Sequence, residues 1–282
     1  MVETGTKLLD VDRLQFGYDR ELILREIDIS IDRGEVFCLL GPNGCGKTTL
    51  LDCILGIHKP GSGRILLQNK DLALMSNIDA ARLMSYVPQI HEKNFSFSVL
   101  DVILMGRTAF TGFFGAPGNQ DRVKAEKLLR EMNFYHMKDR DYTKLSGGES
   151  QMVMIMRALV QEAALIIMDE PASHLDFRNE LFLLETIISI VEKGVRSVLM
   201  STHSPNQAFF LENRGVPVRV GMMHEGKLHK VGTPTQVLSP ENIEQIYGVK
   251  AEVVTAADDS SKGQGFYSLV PIRTVGGFGN AG

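Results

Sequence analysis

Nine consecutive residues, Gly41-Pro42-Asn43-Gly44-Cys45-Gly46-Lys47-Thr48-Thr49, fit the pattern G-x-x-x-x-G-K-[ST] of a loop that cradles phosphate. Gly41, Gly44 and Gly46 let the backbone turn tightly and aim its N–H groups inward. Lys47 is long enough to reach β- and γ-phosphates, and the Thr48 hydroxyl suits Mg²⁺. Pro42, Asn43 and Cys45 fill variable positions, which supply backbone rather than side-chain contacts. A bulky adduct on the Cys45 thiol is expected to bar nucleotide from the loop. Far downstream, Asp169 and Glu170 stand side by side. Asp169 is suited to hold Mg²⁺, directly or through water. Glu170 is suited to take a proton from water attacking a γ-phosphate. A third stretch, Leu145-Ser146-Gly147-Gly148-Glu149-Ser150-Gln151, precedes an amphipathic run. Ser146 and the glycine amides make a second anion site at a helix start. Alternatively, Ser146 and Glu149 form an ordinary capping box.

These groups need elements to hold them. Val36 to Leu40 is an unbroken apolar run, as in a strand buried on both faces, and Leu50, Leu51, Ile54 and Leu55 follow the loop at helical spacing. The loop therefore joins a strand to a helix whose positive dipole end adds to the anion site. Leu165–Met168 and Val198–Met200 are further runs of the same kind, and a helix covers about 178–192. Three buried strands thus end in the glycine loop, Asp169-Glu170 and Thr202-His203, where a parallel sheet binds its ligands. Residues 8–31 alternate as antiparallel strands, Ile65–Leu67 form another, and 97–160 read as mainly helical around a surface loop from Phe110 to Gly118. The methionines of 152–156 read as core packing. Ser204-Pro205-Asn206-Gln207 opens a helix with Ser as N-cap and Gln closing a capping box. Val218–Val231 reads as a hairpin turning at Glu225-Gly226, 240–247 as a short helix, and 266–272 as a strand before a glycine-rich end. The fold class is α/β with a mainly parallel sheet.

The chain has 282 residues, a net charge of −4 and 44% hydrophobic residues, enough for a sizeable core and no basis for a nucleic-acid surface. No run approaches the roughly 18 apolar residues that cross a bilayer, and the first residues lack the features of a signal peptide. Cys38, Cys45 and Cys53 show no CxxC spacing, which predicts a reducing compartment without disulfides or structural zinc. A cytosolic protein is expected, whose membrane role comes through a partner.

Leu145 to Glu149 resembles the signature motif of ABC-type ATPases, and the motif order over about residues 8–248 matches that family's nucleotide-binding domain. The resemblance implies ATP and Mg²⁺ as ligands. It also implies a RecA-like P-loop NTPase core with an N-terminal antiparallel β subdomain and an inserted helical subdomain at about 90–160. Residues 249–282 are left as a C-terminal extension. Tyr18 resembles the aromatic that stacks on adenine, and Gln89, in Tyr86-Val87-Pro88-Gln89, resembles the Q-loop glutamine, a further Mg²⁺ ligand. Ser173-His174-Leu175-Asp176 resembles the D-loop, Asp176 contributing to the nucleotide site, and His203 resembles the switch histidine. With Lys47, Gln89, Glu170 and His203 form the implied catalytic set. A head-to-tail dimer is implied, in which Ser146, Gly147, Gly148 and Glu149 of one subunit meet ATP held by the other. Ser150 and His174 depart from the residues most frequent at their positions.

Ser98 to Thr108 and Tyr247-Gly248-Val249 resemble the ATPases that drive uptake of iron–siderophore, haem and vitamin B12. This implies a peripheral subunit on the cytoplasmic side of the membrane, bound to separate permease subunits and indirectly served by a substrate-binding protein. Phe95 to Arg107, with Val102 and Met105 as contacts, is the implied docking surface, and Phe110, Phe113 and Phe114 suit a partner interface. Alternatives are the ATPase of another importer or an exporter, a soluble regulatory ABC-type ATPase, and a P-loop kinase.

Overall fold

A computed structural model describes residues 7–19, 21–89, 96–111, 115–173, 175–256 and 266–275. Phe95, Phe113, Phe114, His174 and the glycine-rich end lie outside the described residues.

Strands β1 (Lys7–Tyr18) and β2 (Glu21–Asp32) pair antiparallel, with Val11 opposite Ile29. They lead into β3 (Val36–Leu40), which is buried along its whole length, and the glycine loop then enters α1 (Lys47–Ile54). Strand β4 (Ser62–Leu67) returns to β1, Leu9 facing Leu67, and β5 (Lys70–Asp71) pairs with β4. The result is a four-stranded antiparallel sheet of order β2-β1-β4-β5. Helix α2 (Asn77–Leu83) and strand β6 (Met84–Val87) follow, then the helical part: α3 (Val99–Leu104), α4 (Asn119–Glu131) and α5 (Gly147–Val160). The chain re-enters the core with β7 (Leu165–Asp169), α6 (Phe177–Val191), β8 (Ser197–Thr202), α7 (Pro205–Asn213), β9 (Val218–His224) and β10 (Lys227–Gly232). Helices α8 (Pro234–Val237) and α9 (Pro240–Tyr247) precede a hairpin of β11 (Val249–Ala256) and β12 (Phe266–Thr274).

The main sheet runs β10-β9-β3-β8-β7-β6, parallel throughout except for β10. Its apolar runs are explained by two cores, one on each face. Val36, Cys38 and Leu40 enter one core with Ile166, Met168, Val198 and Met200. Phe37 and Leu39 enter the other with Leu165, Ile167 and Leu199. Side chains alternate faces along a strand, so a strand covered on both sides must be apolar at every position. The first core takes in α3, α5, α6 and α7, including the fully buried Met152 and Met156; the second takes in α1 and the antiparallel sheet.

Three expectations are corrected here. First, Val102 is not an exposed docking contact: Val99, Leu100, Val102 and Ile103 of α3 are buried, Val102 at 5% exposure, whereas Phe97, at 42%, and Met105, at 37%, reach the surface. Arg107 is buried as well. Its Nε donates to Asp121 at 2.7 Å, its Nη1 donates to the Val160 and Gln161 carbonyls at 3.2 Å each, and its guanidinium lies 4.2 Å from the Phe110 ring. It staples α4 to the end of α5. Second, Ser204 stands at the N-cap of α7 with Pro205 following, but its side chain makes no cap hydrogen bond. Third, the C-terminal extension carries a docked hairpin rather than one strand. Asn206 and Asn213, two turns apart on α7, each pair with a β12 peptide unit. Asn206 accepts from the Leu269 amide at 2.8 Å and donates to the Leu269 carbonyl at 3.1 Å, and Asn213 does the same for Tyr267 at 2.9 Å each.

Candidate functional site

Register brings the chemistry to one edge. Leu40 pairs with Thr202, Asp169 with Ser201, and Val87 with Met168. The residues just beyond these pairs, the glycine loop, His203, Glu170 and Gln89, therefore emerge together at the carboxyl ends of the parallel strands, where such sheets bind ligands.

The loop is built for close backbone approach. A Cβ at Gly41 would lie 2.2 Å from the Met223 carbonyl, and Gly46 sits at φ 103°, in the region that favours glycine. The amides of Asn43, Gly44 and Gly46 donate to no acceptor among the described residues, and α1 adds the unsatisfied N–H groups of its first turn. These orphan donors fit phosphate oxygens. Lys47, 6% exposed, folds over the loop and donates to the carbonyls of Gly41 at 2.7 Å and Pro42 at 3.1 Å. Cys45 is turned inward. Its side chain points into the second core, 5% exposed, and burial pushes its thiol pKa up. The Lys47 and Cys45 amides bond to the thiol and the Lys47 charge lies near it, drawing its pKa the other way, so the sulfur sits beneath the loop backbone. Cys38 and Cys53 are fully buried, with thiols pushed up to about 12.

Thr48 donates to Asp169 Oδ2 at 2.9 Å. Asp169, 2% exposed, also accepts at Oδ1 from the Ser201 hydroxyl, and that hydroxyl accepts the Glu170 amide at 2.9 Å. Ser201 is a site residue the sequence reading missed; the signal was a small hydroxyl at the end of the run Val198–Met200. Glu170 occupies φ 44°, strained for a residue with a side chain. Its Oε2 accepts from Gln89 Nε2 at 2.8 Å and lies 3.6 Å from His203 Nδ1. A glutamine, a carboxylate and an imidazole thus converge on one point beside the Thr48–Asp169 pair. That arrangement can hold a water for in-line attack and receive its proton. One carboxylate and one hydroxyl are hard oxygen donors that suit Mg²⁺, a cation that takes few protein ligands and completes its shell with phosphate and water.

The remaining expected residues lie apart from this point. Ser146 caps α5, accepting from the Glu149 amide at 3.2 Å while Glu149 accepts from the Ser146 amide at 2.8 Å, a bond that holds its carboxyl below the usual range. The capping box is present and takes up the two side chains, and exposed Gly147 has nothing within 4 Å of an added Cβ. None of the hydrogen bonds of residues 146–149 reaches the glycine loop among the described residues. Gln151, which the sequence reading passed over, is 2% exposed and donates to the Pro171 carbonyl at 3.2 Å, tying this helix to the segment after Glu170. Asp176 caps α6 by accepting from the Asn179 amide at 2.8 Å. Tyr18, 51% exposed, stands at the β1–β2 turn, its hydroxyl 2.9 Å from His58 Nε2.

Among known proteins, the chain matches the ABC transporter family over residues 24–173. The molybdate import ATP-binding protein MolC of Haemophilus influenzae is 33% identical, over 86% of this chain and 88% of that protein. A probable iron chelatin transport ATP-binding protein of Helicobacter pylori is 34% identical, over 88% and 95%. A solved structure of a metal-chelate type ABC transporter, in an inward-facing conformation, superposes with a TM-score of 0.81 at 30% identity, covering 95% of this chain and 98% of that one. Since the match spans more than half of the chain and the relatives run along most of it, the chain is an ATP-binding, ATP-hydrolysing subunit and belongs to the ABC transporter family.

Proposed function

We propose that this chain powers uptake of a metal chelate or corrinoid, working as a head-to-tail homodimer on the cytoplasmic side of the membrane against separate permease subunits. A substrate-binding protein delivers the cargo. The observation that carries the reading is the meeting of Gln89, Glu170 and His203 beside Thr48 and Asp169. No described helix is long and apolar enough to cross a membrane, which is consistent with a separate permease. The relative named for iron chelatin transport and the metal-chelate type neighbour support the cargo class. The relative named for molybdate import favours a metal oxyanion as the second reading.

In this reading the loop amides and Lys47 hold the ATP phosphates, and Tyr18 stacks on adenine. Thr48 and Asp169, with Gln89, would hold Mg²⁺, which neutralises charge on the β- and γ-phosphate oxygens. Glu170 takes the proton of the attacking water, oriented by Gln89, and His203 donates to the γ-phosphate oxygens. Open Gly147 and its neighbours Ser146 and Gly148 close over the γ-phosphate of the partner subunit. A groove of about 890 Å³ between the helical part and the core, lined by Tyr86, Met105, Gly106 and Arg157, receives the permease. Of the surface expected from the sequence, Phe97, Met105 and Phe110 are exposed.

Glu170→Gln tests the centre of this reading. The amide can still accept from Gln89, but it cannot take a proton. Hydrolysis is expected to fall by roughly 10²–10⁴-fold, the scale of a general base. ATP is retained, and the variant accumulates as an ATP-dependent dimer in size-exclusion chromatography with light scattering, on the isolated chain or on the assembled transporter. Hydrolysis at the wild-type rate would remove Glu170 from its role, and a monomer under both conditions would sink the sandwich.

A further inference from the structure

We propose that Gln207 is a positioning residue for ATP hydrolysis, fixing the bend that carries His203 to the helix that follows the catalytic segment. The inference rests on the role given to His203 above and adds what holds it.

Gln207 is 5% exposed and lies in the first turn of α7. Its Nε2 donates to Glu180 Oε1 at 2.7 Å, and its Oε1 accepts from the Thr202 hydroxyl at 2.8 Å. The directions are forced. An ionised carboxylate only accepts, so Glu180 takes the amide nitrogen, and the amide oxygen is left for Thr202. The Thr202 hydroxyl must then donate to it. Its free lone pairs accept the Ser204 amide at 3.0 Å. Thr202 thus reaches across His203 from the residue before it to the residue after it, and that closed turn is locked from outside by Gln207. Thr202 is 2% exposed, so no water replaces a lost partner without cost.

Glu180 makes this more than a local turn. It sits in the first turn of α6, whose cap is Asp176, and the chain from Glu170 to α6 is only the intervening loop. The relay Glu180–Gln207–Thr202 therefore ties the element leaving Glu170 to the bend holding His203. The His203 ring, 60% exposed with no other ion-pair partner among the described residues, stands 3.6 Å from Glu170. A side chain so free of packing takes its position from its backbone, and the relay sets that backbone. Gln207 spends its side chain here, which is why it makes no capping box with Ser204.

The test is Gln207→Leu in the full-length chain, which keeps the bulk and removes both hydrogen bonds. Misplacing a catalytic group by about 1 Å costs roughly 10²-fold, so kcat is expected to fall on the order of 10- to 100-fold. KM for ATP and the affinity for a fluorescent ATP analogue stay within about 3-fold, since the loop is untouched. His203→Ala is measured alongside. If Gln207 acts through His203, adding Gln207→Leu to His203→Ala lowers the rate no further. The exchange Glu180→Gln with Gln207→Glu rebuilds the same donors and acceptors in reverse and restores kcat, whereas Gln207→Glu alone sets two carboxylates together and does not. An unaffected His203→Ala would overturn the role of His203 itself. An impaired His203→Ala with a normal Gln207→Leu, or fully additive losses, would overturn the relay alone.

Discussion

Arg107 separates a structural reading of the segment after Gln89 from a docking one. Its guanidinium side chain is 9% exposed and faces Asp121, which is 20% exposed, and Glu162, which is 44% exposed. Replacing Arg107 with alanine leaves Asp121 and two helix-end carbonyls without their donor. Breaking a buried ion pair by removing one partner costs roughly 3–5 kcal/mol. Asp121 keeps some solvent and the Gly118 amide at 3.0 Å, and Glu162 keeps Lys124, so the low end applies, about 3 kcal/mol. Arg107→Lys retains a charge for Asp121 but not the fork that also reaches the carbonyls, and is expected to cost about 1–2 kcal/mol. The chain has no tryptophan, so urea unfolding is followed by circular dichroism, with hydrogen exchange locating the loss in α4 and α5. Met105→Asp is the control: a surface change worth at most about 0.5 kcal/mol, expected to abolish co-purification with the permease. An Arg107→Ala chain that loses less than about 1 kcal/mol while failing to bind permease would refute the structural reading.

Two further outcomes follow from burial and from the C-terminal hairpin. With Cys38, Cys45 and Cys53 all buried and their thiols raised by desolvation, the native chain is expected to resist maleimide at pH 7 and to label at three positions after denaturation; fast labelling at Cys45 that Mg-ATP prevents would contradict its inward placement. Asn213→Ala removes two bonds to the Tyr267 peptide, about 1–2 kcal/mol locally, so the Tyr267 amide is expected to exchange roughly ten times faster, with β7 and β8 unchanged; an unchanged rate at Tyr267 would show that the hairpin is held by packing alone.

The parts of the site legible in the sequence were those whose chemistry is contiguous. The glycine loop carries its own pattern, and Asp169-Glu170 announces itself by following four apolar residues. Gln89 and His203 are single polar residues at strand ends; only the resemblance marked them, and only the register shows them reaching the same carboxylate. Ser201 and Gln207 left weaker traces, because a serine in a strand and a glutamine near a helix start have many ordinary uses. At Gln207 the local rule pointed to a capping box, and a buried tertiary partner, Glu180, outcompeted it. Val102 was misread as a contact for a related reason. Val102 and Arg107 lie in an amphipathic stretch whose apolar side was taken to face a partner, and the structure turns it to α5 and the core. Strands β6 and β11 escaped notice because four residues, Met84–Val87, carry little periodicity, and because Val249–Ala256 gains its inner face only from α9 and β12.

Why two neighbouring acids serve one site also has a local explanation. Adjacent residues of an extended strand point to opposite faces of the sheet, so Asp169 and Glu170 would be expected to part company. The left-handed φ of 44° at Glu170 breaks that alternation as the strand ends. Such a conformation costs on the order of 1–3 kcal/mol and persists only where neighbours enforce it. Here the enforcement is visible. The Glu170 amide donates to the Ser201 hydroxyl, that hydroxyl donates to Asp169, and the Glu170 carboxylate accepts from Gln89. One serine on the adjacent strand thus orients both acids: it fixes Asp169 with its second oxygen free for Thr48, and it holds the twisted peptide that swings Glu170 toward Gln89 and His203. The strain lies at the residue proposed to face the attacking water, and the bonds that maintain it come from Ser201 on β8 and from Gln89 just beyond β6. The geometry of Glu170 therefore depends on how the ends of β6, β7 and β8 are brought together, and not on its own segment alone.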